Sequence, residues 1–173
     1  MSGRQANVLS DKQFEDLLVY TSTTRNPERN RVIVLLSIKA GPRAGEIAKL
    51  MRDMVLDPTG EVGSVIELRD RVAKKNSGRL IPLHSELQIA LSTWRSLSEG
   101  VGAVIQSERG DCMTPVSIVN WFAGAFRAVG LEGCSSHSGR RTFITRAARV
   151  VHQAEASLRH VQLLAGHRSI QMI

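Results

Sequence analysis

Four short stretches of this 173-residue chain hold residue types that could grip an anion. In Gly41-Pro42-Arg43-Ala44-Gly45-Glu46, Arg43 is expected to begin a helix, and Glu46 follows three residues later, close enough to hold its guanidinium. A guanidinium held in that way can bind a phosphate with two parallel hydrogen bonds. Lys74-Lys75-Asn76-Ser77-Gly78 is a basic turn whose flexible ammonium groups could reach a phosphate. His137-Ser138-Gly139-Arg140-Arg141 falls at a predicted helix start, where His137 and Arg140 share a face and unpaired backbone amides add positive potential. In Leu163-Leu164-Ala165-Gly166-His167, Gly166 can end a helix and His167 follows it. Taken singly, each stretch has a plainer reading: a surface ion pair, an exposed turn, a capped helix start, a C-terminal cap.

The charge balance favours an anionic partner. Lys and Arg number 23 against 16 Asp and Glu, giving a formal net charge of +7. Distribution sharpens the point, because from His137 onward Arg140, Arg141, Arg146, Arg149, Arg159 and Arg168 face a single acid, Glu155. A solvated helix face would usually mix the signs.

The elements that must position these groups read as follows. Ser10 to Gln13 has the form of a capping box, with Phe14, Leu17 and Leu18 at helical spacing behind it, so a helix is predicted from Asp11 to Thr21. Tyr20 lies near that apolar stripe and reads as packing. The apolar run Val32 to Ile38 suits a buried helix, Gly41-Pro42 breaks the chain, and helical spacing resumes from Ala44 to Met51. Ser64 to Val72 and Arg79 to Leu83 predict a hairpin with a basic tip. Ser85 opens a helix with Leu87, Leu91 and Trp94 on one face. Thr114-Pro115 opens another, with Val119, Phe122, Phe126 and Val129 as its buried stripe and Gly130 as its end. Two further helices are predicted near Ser138 to Val150 and Ser157 to Ala165.

This pattern predicts a mostly α protein with a small antiparallel β-sheet (α+β), in one packed domain over residues 10–173 behind an N-terminal tail of residues 1–9. A content of 42% apolar and 23% charged residues argues against general disorder. No apolar run approaches the ~20 residues of a membrane span, and Met1 to Ala6 lacks the apolar stretch of a leader peptide. No membrane partner is expected, and the expected location is the cytoplasm. Cys112 and Cys134 read as ordinary thiols. With His137 they are too sparse for a zinc site, so no metal is expected.

In order and spacing, the four stretches resemble the tyrosine recombinase, or phage integrase, family. That family places an arginine in Gly-x-Arg-x-x-Glu, here Gly41 to Glu46, and a lysine on a hairpin ending in Arg-x-x-Pro-Leu, here Arg79 to Leu83. It then places His-x-x-Arg at a helix start, here His137 and Arg140, and Leu-x-Gly-His near the end, here Leu164 to His167. The likeness runs from about Leu9 to the C-terminus. It implies a catalytic-domain fold of that family and a catalytic set of Arg43, Lys74, His137, Arg140 and His167, with Lys75 as the alternative lysine. Glu46 is implied as support, and Lys75, Arg79 and Arg141 as DNA contacts.

The implied reaction is attack of a tyrosine hydroxyl on a phosphodiester of double-stranded DNA, leaving a 3′-phosphotyrosyl protein and a free 5′-hydroxyl that can later rejoin. Arg43 and Arg140 would clamp the nonbridging oxygens of the phosphorane. Lys74 would protonate the leaving 5′-oxygen, His137 would take or share the tyrosine proton, and His167 would bond a nonbridging oxygen. No cofactor is implied. The family's nucleophile would fall shortly past Ile173, so no nucleophile is expected within the chain, whose only tyrosine is Tyr20. The chain alone is therefore expected to form no covalent DNA adduct. Pro42, where the family has an aliphatic residue, and the short segment ahead of the catalytic-type region are further departures.

A bacterial or phage-encoded, nucleoid-associated recombinase is the leading expectation, a monomer by itself and a homotetramer on DNA at full length. The competing expectation is a DNA-binding module or regulator of the same fold without catalysis. A type IB topoisomerase shares the chemistry but is generally longer.

Overall fold

The computed structural model describes residues 6–73, 77–98, 101–153 and 158–166. Helix α1 (Asp11–Ser22) begins with the predicted reciprocal cap: the Ser10 hydroxyl accepts from the Gln13 amide, and the Gln13 side chain accepts from the Ser10 amide. Phe14, Leu17 and Thr21 face inward. Leu9 is also in the core, and its amide donates to Thr142 Oγ1 at 2.9 Å across the fold. The backbone at Leu9 is thus tied down.

Helix α2 (Pro27–Leu35) starts with Pro27 in its first turn, where the missing amide costs nothing. It runs on into a π-helical turn, Leu36–Ala40, closed by the Gly41 amide donating to the Leu36 carbonyl at 2.9 Å. Every residue from Val32 to Ile38 is buried, as the apolar run predicts. Helix α3 (Ala44–Ala48) is shorter than the expected span to Met51. Beyond it the backbone pairs elsewhere: the Val104 amide donates to Leu50 at 2.8 Å, and the Arg52 amide to Gly102 at 2.9 Å. Those strand-like bonds, followed by a 3₁₀ turn at Arg52–Met54, replace the last helical turn.

Strands β1 (Val65–Leu68) and β2 (Arg79–Pro82) pair antiparallel, from Val65 opposite Pro82 to Leu68 opposite Arg79. The first strand stops earlier than the expected Val72. The amides of Val72 and Ala73 turn back onto the Arg69 carbonyl, which buries both side chains in a way that strand alternation would not allow. Helix α4 (Ser85–Leu97) is capped by His84, whose Nδ1 accepts from the Glu86 amide. The Gln88 side chain donates to the Gly63 carbonyl at 2.9 Å.

Helix α5 (Pro115–Ala128) has the predicted Thr114 cap, with the Ser117 amide donating to Thr114 Oγ1 at 3.1 Å. Its buried face is Ile118, Phe122, Ala125 and Phe126. Val119, expected in that stripe, is 40% exposed, and Val129 is only partly buried. The inward residues recur at i, i+4, i+7 and i+8, and Val119 sits one position off that line. Helix α6 (Ser138–Gln153) packs across the π turn, and α7 (Leu158–Ala165) rests on α6 and β2. Ile144, Val161 and Ala165 form a small apolar cluster under α7, separate from the main core. Among the described residues, no helix is long and apolar enough to cross a membrane.

The crossing of α6 over the π turn depends on Gly139. A Cβ there would lie 2.1 Å from Ser37 Oγ and 2.8 Å from Ser37 Cβ. Gly139→Ala is therefore expected to destabilise the protein by about 1–3 kcal/mol through overpacking. Gly124→Ala, where nothing lies within 4 Å, should instead gain about 0.5–1 kcal/mol of helix stability. Urea unfolding of the two variants checks the contrast.

Candidate functional site

Arg43 caps α3, and its amide donates to Glu46 Oε2 at 2.9 Å while its Nη1 donates to Glu46 Oε1 at 3.1 Å. Glu46 is 2% exposed, so its charge must be compensated inside the protein. Arg79 supplies the second half, with Nη2 at 3.0 Å from Glu46 Oε2. Burial pushes the Glu46 carboxyl up, but the hydrogen bond and charge of Arg79, then the amide and charge of Arg43, outweigh it. The group is held below the usual carboxylate range.

Arg140 reaches the same place from the first turn of α6. Its Nη1 donates to the Gly41 carbonyl at 2.5 Å, and its Nη2 donates to the Ala165 carbonyl at the end of α7. Gly41 must be a glycine here: its φ is 74°, and a Cβ would strike the Phe143 ring at 2.3 Å. Pro42 follows that left-handed turn, and Arg43 still makes its α3 contacts. Burial first, then the nearby charges of Arg43 and Arg79, push the Arg140 guanidinium down to about 9, against a partial pull from Glu46. Arg43 and Arg140, 97 residues apart in sequence, thus feel each other directly. Three guanidiniums lie around one carboxylate, an excess of positive charge of which only Arg43 reaches the cleft.

In front of this cluster lies an open cleft of about 440 Å³, lined by Arg43, Glu46, Lys49, Val119, His137 and neighbouring residues. His137 is exposed at the mouth of the α6 start, where Ser138 Oγ accepts from the Ser135 amide at 3.0 Å. Lys49 was invisible to motif reasoning, since it carries no spacing signal. Its place at the end of α3, next to Arg43 in the cleft wall, gives it away only in three dimensions. Val119, displaced from the core face of α5, joins Val72, Ala73 and Pro115 in the apolar part of the wall.

The other expected residues divide. Arg79, expected as a DNA contact, has a side chain only 6% exposed, with its donors on Glu46, Leu164 and Ser77. A guanidinium turned inward in that way is unsuited to tracking a backbone in solvent. Arg141 is half-buried on α6. Lys74, Lys75 and His167 lie outside the described residues. Tyr20 packs on the core from α1 and does not line the cleft.

The fold matches several solved structures. The crystal structure of XerA recombinase superimposes with a TM-score of 0.77 at 20% identity, covering 99% of this chain and 58% of that one. The Tn1549 transposon integrase in complex with a circular intermediate DNA gives 0.79 at 18% identity, over 99% and 61%. A lambda integrase dimer bound to a COC′ core site gives 0.74 at 20% identity, over 99% and 48%. The chain therefore spans about half to three-fifths of the length of these proteins. No curated protein matches the chain. The architecture is that of a tyrosine recombinase catalytic domain. The phage integrase family matches residues 7–173, and the chain belongs to it.

Two pH effects follow from the cluster. Because the folded state holds the Glu46 pKa down, its contribution is present above the unfolded value of about 4.3 and is lost as pH falls through the folded one. Glu46→Gln should remove this acid-side loss and cost about 3–5 kcal/mol at neutral pH by stripping the buried arginines of their counter-charge. Arg140 also makes stability rise with pH, but at the alkaline end and by a penalty that fades: its folded pKa of about 9 lies well below the ordinary guanidinium range, so its charged form opposes folding below about 9. That opposition fades as pH rises between the two values, because the unfolded chain then binds more protons. Chemical denaturation across pH, comparing wild type with Glu46→Gln and Arg140→Gln, measures both.

Proposed function

We propose that this chain is the catalytic domain of a site-specific DNA recombinase or integrase, cutting and rejoining double-stranded DNA through a 3′-phosphotyrosyl intermediate. The observation that carries the proposal is the convergence of Arg43 and Arg140 near one buried carboxylate, with Arg43 and Glu46 lining an open cleft and Arg140 buried behind them. A phosphodiester gains negative charge on its nonbridging oxygens as the phosphorane forms. Preorganised guanidiniums in a partly dehydrated site stabilise that charge more than water does. Glu46 sets the distance of Arg43 and so keeps the clamp assembled before DNA arrives.

In this reading His137, at the cleft mouth, takes or shares the proton of the attacking hydroxyl. Lys74, or Lys75, protonates the leaving 5′-oxygen, and His167 donates to a nonbridging oxygen. Lys49 and Arg141 contact flanking phosphates, which position the duplex without reading its sequence. The solved relatives in complex with DNA, the Tn1549 transposon integrase and the lambda integrase, support a DNA partner. By itself the chain is a monomer, and a homotetramer would form on DNA only at full length. A bacterial or phage genome is the setting that fits these relatives.

Tyr20, the only tyrosine among the 173 residues, packs on the core away from the cleft. The attacking hydroxyl therefore has to enter the cleft from outside these residues. The same observation favours the second reading, a DNA-binding module or regulator that uses the phosphate clamp without cleavage.

A nicked duplex that traps the covalent intermediate separates the two readings. Protein carrying a tyrosine-bearing segment after Ile173 should form an adduct, and Arg43→Ala or Arg140→Ala should slow its formation by about 10²–10³-fold. The 173-residue chain should form none. An adduct indifferent to both arginines would exclude the assignment. Duplex titrations should show affinity falling steeply with salt, and Lys49→Ala should reduce the slope by about 0.9, the loss of one phosphate contact.

A further inference from the structure

Helix α7 is weakly anchored by ordinary standards. It has eight residues, near the lower limit at which a helix holds itself together, and it rests on α6 and β2 over the small cluster of Ile144, Val161 and Ala165. Its C-terminal carbonyls need donors, and two of them find those donors on buried arginines rather than on water. Arg79 Nε donates to the Leu164 carbonyl at 2.9 Å, and Arg140 Nη2 donates to the Ala165 carbonyl. Both cations also sit where the negative end of the helix dipole favours them. Space is tight at this junction, since a Cβ at Gly166 would lie 2.8 Å from Arg79 Nη1.

The other edge of the same Arg79 guanidinium holds Glu46, with Nη2 at 3.0 Å from Oε2 and Nη1 at 3.4 Å from Oε1, and Glu46 holds Arg43. Arg79 therefore spans two objects that sequence keeps apart: the carboxylate that sets the cleft arginine, and the last turn of α7. We propose that Arg79 is a positioning residue that couples occupancy of the phosphate cleft to the seating of α7. This rests on the phosphate-binding reading of the cleft.

The direction of the coupling follows from charge. With the cleft empty, Arg43, Arg79 and Arg140 crowd around one carboxylate and repel one another. A phosphate or sulfate ion supplies the missing counter-charge, relaxes that repulsion, and so strengthens the geometry in which Arg79 and Arg140 cap α7. By linkage, a well-seated α7 must strengthen anion binding by the same factor.

The test uses the 173-residue chain with inorganic sulfate, against chloride at matched ionic strength. Sulfate binding is read by thermal shift, and α7 by amide hydrogen exchange of residues 161–166. Sulfate should slow exchange in α7 of the wild type by about fivefold, a typical coupling factor. Arg79→Lys keeps a positive charge for Glu46 but cannot span to Leu164, and should largely abolish that protection while still binding sulfate. Val161→Ala, which loosens α7 from beneath without touching the cleft, should weaken sulfate binding severalfold in the wild-type background and less in the Arg79→Lys background. A residue that merely holds the fold together would give the same sulfate response in both backgrounds, and that result would overturn the proposal. So would sulfate that binds but leaves α7 unchanged. Absence of sulfate binding would instead overturn the phosphate-cleft reading on which the proposal stands.

Discussion

The site is organised around a buried negative charge. Glu46 is almost fully removed from water, and a carboxylate in that position is tolerable only with charged, hydrogen-bonded partners on both oxygens. Arg43 approaches from its own helix turn, and Arg79 comes from the second strand of the hairpin. Taking either partner away leaves the buried charge only partly compensated, so the position of α3, the register of β2 and the orientation of the cleft arginine are set together.

Arg140 extends that arrangement without joining the ion pair. Its hydrogen bonds go to two backbone carbonyls, Gly41 and Ala165, and its burial next to two other cations makes its charge expensive to keep. Such an arrangement is poor for stability and good for receiving an anion, which is the expected signature of a binding site preorganised against its own electrostatic preference. Glycines allow it: Gly139 lets α6 cross the π turn against Ser37, and Gly41 turns the chain beneath Phe143 so that its carbonyl meets Arg140. The close approach of α6 to the end of α2 is thus the mechanical condition for the electrostatic one.

Where local reading differed from the fold, long-range pairing was responsible. Helical periodicity from Ala44 to Met51 is real, but the backbone of Leu50 to Arg52 gains more by pairing with residues 102–104, and α3 ends early. The strand-like composition through Val72 gives way to a turn on Arg69 that buries Val72 and Ala73. Val119 looked like core by type, and its one-position offset from the inward line of α5 instead makes it cleft wall. Arg79 looked like a surface cation, because nothing local in Arg-Leu-Ile-Pro announces a buried carboxylate 33 residues upstream.

The sequence by itself determined the local machinery: the capped start of α1, the buried run through Ile38, the Thr114-Pro115 start of α5, the Arg43–Glu46 pair, and the order of motifs that marks the family. The caps and the ion pair depend on residues three apart, and such neighbours meet in any chain that forms the helix, while the apolar run and the motif order are legible along the chain itself. The tertiary structure alone decided that Arg140 feels Arg43, that Arg79 serves Glu46 and α7 rather than solvent, and that Lys49 lines the cleft. Each of those depends on which elements pack together once apolar faces are buried, and side-chain spacing along the chain carries no record of it.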